Sequence, residues 1–69
     1  MTNPIVDRYG NKRWFNSQGE IHRDDGPAEM DPHGYKAWYQ NGQFHREDGP
    51  AAEMADGRKF WFIKGQRIT

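Results

Sequence analysis

The chain contains no cysteine. Disulfide staples and thiolate-ligated metal are therefore excluded, a condition that suits a reducing compartment. An excess of one charge is also missing: ten Lys and Arg stand against ten Asp and Glu. No net field draws the chain toward nucleic acid, membrane or an acidic partner, so a partner must be recognised by shape. No stretch approaches the roughly 20 apolar residues of a membrane span. Met1 is followed by Thr2-Asn3-Pro4 rather than by a basic and then apolar leader, and the expectation is a soluble, cytoplasmic protein. Sustained helical periodicity is absent, and eight Gly and four Pro at regular intervals would interrupt any helix.

Hydrophobic residues are scarce too, at 33% of the chain against roughly 45–50% in globular domains. The shortfall is met by size. Three Trp, four Phe and three Tyr can each bury on the order of 150–250 Å². A chain of 69 residues makes one domain, 1–69, and folding buries only about 60% of the surface that its unfolded form exposes. A thin core is expected, with marginal stability or self-association as its consequence.

What the chain has is repetition. His22-Arg23-Asp24-Asp25-Gly26-Pro27-Ala28 returns as His45-Arg46-Glu47-Asp48-Gly49-Pro50-Ala51. Around the heptad, Trp14 and Gly19 are answered by Trp38 and Gly42, and Trp61 and Gly65 open a third copy. His22 to His45, Pro27 to Pro50 and Gly34 to Gly57 are each 23 residues apart, a period that belongs to solenoids and stacked hairpins. Units of about 10–33, 34–56 and 57–69 follow, two of them complete and the third partial, with an N-terminal strand at 4–9 ahead of them.

Alternation within each unit predicts an all-β fold of about nine short strands in consecutive antiparallel hairpins, forming a small twisted or curled sheet. The strands fall at 4–9, 12–16, 20–23, 28–31, 35–40, 43–46, 51–55, 58–63 and 66–69. Asn41-Gly42 and Asp56-Gly57 read as two-residue hairpin turns with both residues at positive φ. Trp14 to Gly19 is one step longer than Trp38 to Gly42 or Trp61 to Gly65, which predicts a bulge or a wider loop there. One strand face carries Trp14, Trp38 and Trp61, assigned to the core. The other carries Arg13 and Phe15, then Tyr35, Ala37 and Tyr39, then Arg58, Phe60 and Phe62, and in a single thin layer it is either curled into the core or available to a partner.

The heptads are the place to look for chemistry. His beside Asp is half of a general-base pair, but Ser17 is the only serine and both threonines are terminal. A motif that recurs at the repeat period is a packing solution before it is an active site. In that reading Asp25 and Asp48 accept hydrogen bonds from loop amides or from His22 and His45. Gly26 and Gly49 supply a positive φ, and Pro27 and Pro50 fix the start of the next strand. No catalytic residue is assigned. His22, His33 and His45 with Asp25 and Asp48 could offer zinc ligands, yet Asp56 takes the place of His33 in the next unit, and no metal or cofactor is assigned. Aromatics interleave with Lys12, Arg13, Lys36, Arg58 and Lys59 as nucleic-acid platforms do, but the neutral chain lacks the counterion-release term. The glycines do not cluster as a phosphate loop. Tyr35, Tyr39, Phe44 and Phe62, with Arg23 and Arg46 as charged anchors, are the candidate partner surface, together with loops 24–27 and 47–50, since Tyr and Arg are enriched at interface hot spots. A self-assembling structural homo-oligomer is one alternative, because the outer strands of an open sheet are unpaired edges, and a nucleic-acid-binding module is the other.

The run Trp-Tyr-Gln-Asn-Gly-Gln-Phe-His-Arg-Glu-Asp-Gly-Pro-Ala over 38–51 resembles short repeats of small proteins from bacteriophages and large DNA viruses, themselves similar to MORN-like variant repeats. The likeness extends from about Gly10 to Gly65. In the first unit Ser17-Gln18-Gly19 replaces Asn-Gly, and the third keeps Trp61 and Gly65 without the heptad. The resemblance implies β-hairpin repeats with a scaffold or interaction role, and no shared catalytic residues. It further implies a small protein in the cytoplasm of a host cell that binds and inhibits a host protein such as a defence enzyme.

Overall fold

A computed structural model describes residues 3–68. Among the described residues there is no helix. Ten two-residue strands pair antiparallel throughout. They are β1 (Ile5–Val6), β2 (Lys12–Arg13), β3 (Glu29–Met30), β4 (Lys36–Ala37), β5 (Tyr39–Gln40), β6 (Gln43–Phe44), β7 (Ala52–Glu53), β8 (Lys59–Phe60), β9 (Phe62–Ile63) and β10 (Gln66–Arg67). Six of them form one sheet in the order β1-β2-β3-β4-β7-β8, while β5-β6 and β9-β10 are separate hairpins. Phe15 and Ile21 bridge in the position that those hairpins occupy in the later units.

The strands expected over 12–16, 35–40 and 58–63 are each interrupted at their tryptophan. The cause is a change of hydrogen-bond partner along the backbone. Trp14 donates its amide to the Ala28 carbonyl at 2.9 Å, while its own carbonyl accepts from His22 at 2.9 Å. Trp38 repeats this with Ala51 at 2.7 Å and His45 at 3.0 Å, and the Trp61 carbonyl accepts from Ile68 at 3.0 Å. Each tryptophan therefore hands the chain from the six-stranded sheet to a second hairpin. Phased from β1, the chain is three hairpin–Trp–hairpin units, 5–21, 29–44 and 52–67, joined by two heptad loops. The N-terminal strand is the opening strand of the first unit, and the third unit needs no heptad to be complete.

Two kinds of turn close the hairpins. Asn41 (φ 52°) and Gly42 (φ 82°) form the expected two-residue turn, and Lys64 (φ 49°) with Gly65 (φ 81°) makes its copy. Asp56-Gly57 differs from expectation, because only Gly57 has positive φ and Met54 donates to the Arg58 carbonyl across a three-residue loop. The same loop follows Asp7, Asn16 and Asp31, whose side-chain Oδ1 accepts two backbone amides each, as at Tyr9 and Asn11 for Asp7. Asn16 therefore accounts for the extra residue between Trp14 and Gly19.

The cross-strand register puts Ile5, Arg13, Glu29, Ala37, Ala52 and Phe60 in one transverse row, with Val6, Lys12, Met30, Lys36, Glu53 and Lys59 on the opposite face. The core differs from a tryptophan column. Ala28, Ala37 and Ala51 are wholly buried, Ala52 and Trp14 nearly so, and Trp38 and Trp61 are half-buried. The wholly buried alanines sit where ladders converge: the Ala28 backbone bonds both Trp14 and Ala37, and the Ala51 backbone bonds both Trp38 and Phe60.

Candidate functional site

Each heptad is built around its arginine. Arg23 Cζ lies over the Trp14 ring, 3.9 Å from its centroid, and Arg46 Cζ over Trp38 at the same distance. From there Arg23 Nη1 donates to the Pro27 carbonyl at 3.1 Å and Nε to Asp25 Oδ1 at 3.0 Å. Arg46 does the same with Pro50 and Asp48, at 3.1 Å each. Arg46 also reaches Glu53 at 3.5 Å. A guanidinium held over the ring with Nε and Nη1 both donating into the loop is a clamp that folds the loop back onto the tryptophan.

The clamp corrects two sequence expectations. Asp25 and Asp48 are partners of arginine rather than of histidine or loop amides. Gly26 and Gly49 do not have positive φ. They are glycine because a Cβ would meet the guanidinium, at 3.1 Å from Arg23 Cζ and 2.8 Å from Arg46 Cζ.

The histidines face the following unit. His22 Nδ1 accepts the Asn41 amide at 2.9 Å, and His45 Nδ1 accepts the Lys64 amide at 3.0 Å. A nitrogen that accepts from an amide carries no proton, so Nε2 holds the hydrogen, directed at Asp24 Oδ1 (3.1 Å) in one copy and toward Glu47 Oε2 (3.6 Å) in the other. Backbone bonds complete the join: Gly42 to Ile21 (2.8 Å) and Arg23 to Tyr39 (3.3 Å), copied as Gly65 to Phe44 (2.8 Å) and Arg46 to Phe62 (3.2 Å). The sequence offered one signal for this, since His22 and His45 each precede a turn residue of positive φ by 19 positions.

The two loops flank an open groove of about 840 Å³, floored by Trp38 and Gln40, with Asp24, Asp25, Glu47 and Asp48 along it. Gln40 is fixed there by a 3.0 Å bond to the Arg23 carbonyl. Among the described residues no group of three or more His, Asp or Glu is placed to hold a metal ion, and no helix is long and apolar enough to cross a membrane.

On the opposite face lie the four aromatics of the candidate partner surface, and the structure brings them together. Tyr39 stacks on Phe44 at 4.5 Å between centroids, and Phe44 stacks on Phe62 at 4.8 Å. The Tyr35 and Tyr39 phenols lie near enough to influence each other, and burial pushes both above their ordinary value, Tyr39 far above it. All four are half-buried. Arg23 and Arg46 do not join this strip, being committed to the tryptophan clamps. His33 stands exposed at a hairpin tip, its amide bonded to Asp31, apart from His22 and His45. Beside the strip, Arg13 and Glu29 form a 2.9 Å ion pair that raises the guanidinium's proton affinity further.

No family model, curated protein or solved structure matches the chain.

Proposed function

We propose that the chain is a non-enzymatic protein-interaction module that recognises a protein partner through the strip Tyr35, Tyr39, Phe44 and Phe62. One observation carries this reading: Tyr39, Phe44 and Phe62, all half-buried, stack in a continuous row across two successive hairpins, with half-buried Tyr35 beside Tyr39. Rigid aromatic surface of this kind supplies contact area at low entropic cost, which is why interface hot spots favour it. The heptads support the same reading from the other side. Both nitrogens of His22 have structural partners, and Nδ1 of His45 holds a backbone amide, so the repeated motif acts as a clasp between units rather than as an acid–base centre.

The resemblance to viral repeats makes a cytoplasmic host protein the partner to seek, and inhibition of a host defence enzyme the effect to assay. The test is affinity capture from host lysate with the wild-type chain and with a Tyr39→Ala/Phe62→Ala variant shown to be folded, followed by reconstitution with the purified candidate. The reading requires a stoichiometric partner whose binding is lost in the variant. Binding that survives the double substitution, or that is lost instead on His22→Asn/His45→Asn in a folded chain, would overturn it.

A further inference from the structure

The outer strands of the six-stranded sheet, β1 and β8, are the ends of a ladder that already joins unit to unit twice. Between the first and second units Lys12 stands opposite Met30 and Arg13 opposite Glu29. Between the second and third, Lys36 stands opposite Glu53 and Ala37 opposite Ala52. Applied once more, the same offset sets Lys59 opposite Val6, and Phe60 opposite Ile5, of another copy. Strand direction permits it, because β8 runs opposite to β1 after five antiparallel steps, so an identically oriented copy presents an antiparallel β1.

Most of the exposed apolar surface lies at the β1 end. Among the described residues the exposed large hydrophobics are Ile5 (65%), Val6 (54%), Tyr9 (68%) and Ile68 (57%). Three belong to the first hairpin, and two of those form the β1 edge itself. An aliphatic edge strand with unpaired backbone groups is a template for strand addition. Lys59 is no obstacle to it, since Lys12 and Lys36 hold the equivalent place at both internal joins.

We propose that a second copy of this chain is the partner of the sheet edges, docking head to tail with β8 of one copy paired to β1 of the next in the internal register. The surface is heterologous, so it builds a row or ring of copies rather than an isologous two-fold dimer. It is confined to this one ladder. Gly42 and Gly65 each donate to the preceding unit, but Gly19 donates to the carbonyl of its own Asn16 at 3.1 Å, so the first unit offers no such donor outward. The association is therefore weak and concentration-dependent. It lies on the sheet edges, apart from Tyr39, Phe44 and Phe62, and stands or falls separately from the protein-partner reading.

The chain's lack of cysteine makes the test clean. Val6→Cys and Lys59→Cys, both at exposed positions, are prepared separately, checked for wild-type melting and treated with a short bis-maleimide, alone and mixed, across a concentration series. The proposal requires a shift from monomer to cross-linked dimer in the mixture and none in either variant alone. Dimer from Val6→Cys alone would reveal two-fold pairing of β1 edges and overturn it, as would dimer from Lys59→Cys alone or no dimer in any sample. Sedimentation of the wild-type chain supplies the second reading: average mass rises with concentration past the dimer, and Val6→Lys abolishes the rise by facing Lys59 with a like charge. A mass that stays monomeric, or that halts at the dimer, contradicts the proposal.

Discussion

His45 Nδ1 accepts the amide hydrogen of Lys64 at 3.0 Å, and 23 residues earlier His22 does the same for Asn41 at 2.9 Å. The acceptor opens the heptad loop that follows one unit and the donor comes from the turn of the next, so the imidazole holds successive hairpins in register. Its removal leaves a turn amide without its partner. We expect His45→Ala to lose about 1 kcal/mol, which for a domain of this size lowers the melting temperature by roughly 4–8 °C. His45→Asn, whose Oδ1 can take the place of Nδ1, should recover most of that loss. Thermal melts of the two variants decide it.

The guanidinium clamp makes a prediction about glycines that do not sit at positive φ. A methyl group at Gly49 would lie 2.8 Å from Arg46 Cζ, and one at Gly26 would lie 3.1 Å from Arg23 Cζ. Gly49→Ala should cost about 1–3 kcal/mol as overpacking, and Gly26→Ala less. Indole fluorescence should change with Gly49→Ala as Arg46 is lifted from Trp38. Equal and negligible effects at both positions would show that the stack is not tight.

Much of this architecture was legible because the period fixes it. The heptad, the turn at Asn41-Gly42 and the placing of Tyr35, Tyr39 and Phe62 on one face all follow from spacing and alternation. The pairing inside the heptad did not follow, since Asp24 and Asp25 are adjacent carboxylates of the same chemistry. Only the backbone path decides that the first meets histidine and the second arginine. The break at each tryptophan was hidden as well, because alternation of side chains continues through it while the hydrogen-bond partners change. The first hairpin's membership of the array was readable: Gly10, Gly34 and Gly57 each precede a tryptophan by four residues, and Lys12, Lys36 and Lys59 by two.

Lys64 is out of place by local preference. It holds φ 49° in a turn where Asn41 occupies the equivalent site at φ 52°. A non-glycine residue without a short polar side chain pays about 1–2 kcal/mol for that conformation. Lys64→Asn should therefore stabilise the chain, by up to about 1 kcal/mol, and leave the His45 bond intact because the donor is the backbone amide. Chemical denaturation would register a higher midpoint with unchanged slope, and a lower midpoint would refute the assignment.

Acid should act through the hairpin carboxylates. Asp7 is held below its ordinary value of 3.8 chiefly by the Asn11 side chain, Asp31 by the Tyr35 amide, and Asp56 by the Arg58 amide. Groups depressed in the folded state contribute stability that is present above their ordinary value and lost as pH falls through the lower folded ones. Melting temperature should therefore decline below about pH 4, and Asp31→Asn should flatten that decline. Tyr35 and Tyr39 act at the other limit: raised above 10.0 by burial, they contribute stability present below that pH and lost as it rises further. Tyr39→Phe should remove part of the alkaline loss.

The joining of the three units by the heptads is tested most directly by amide hydrogen exchange on the wild-type chain, read at Asn41, Gly42, Lys64 and Gly65. All four residues are solvent-exposed and sit in two-residue turns, where amides ordinarily exchange quickly. Their donors point at His22, Ile21, His45 and Phe44 of the preceding unit, so protection equal to that of the ladder amides of Ala28 and Ala51 is expected. Exchange at unprotected rates, with Ala28 and Ala51 still protected, would mean that the second hairpins are not docked and would contradict the account.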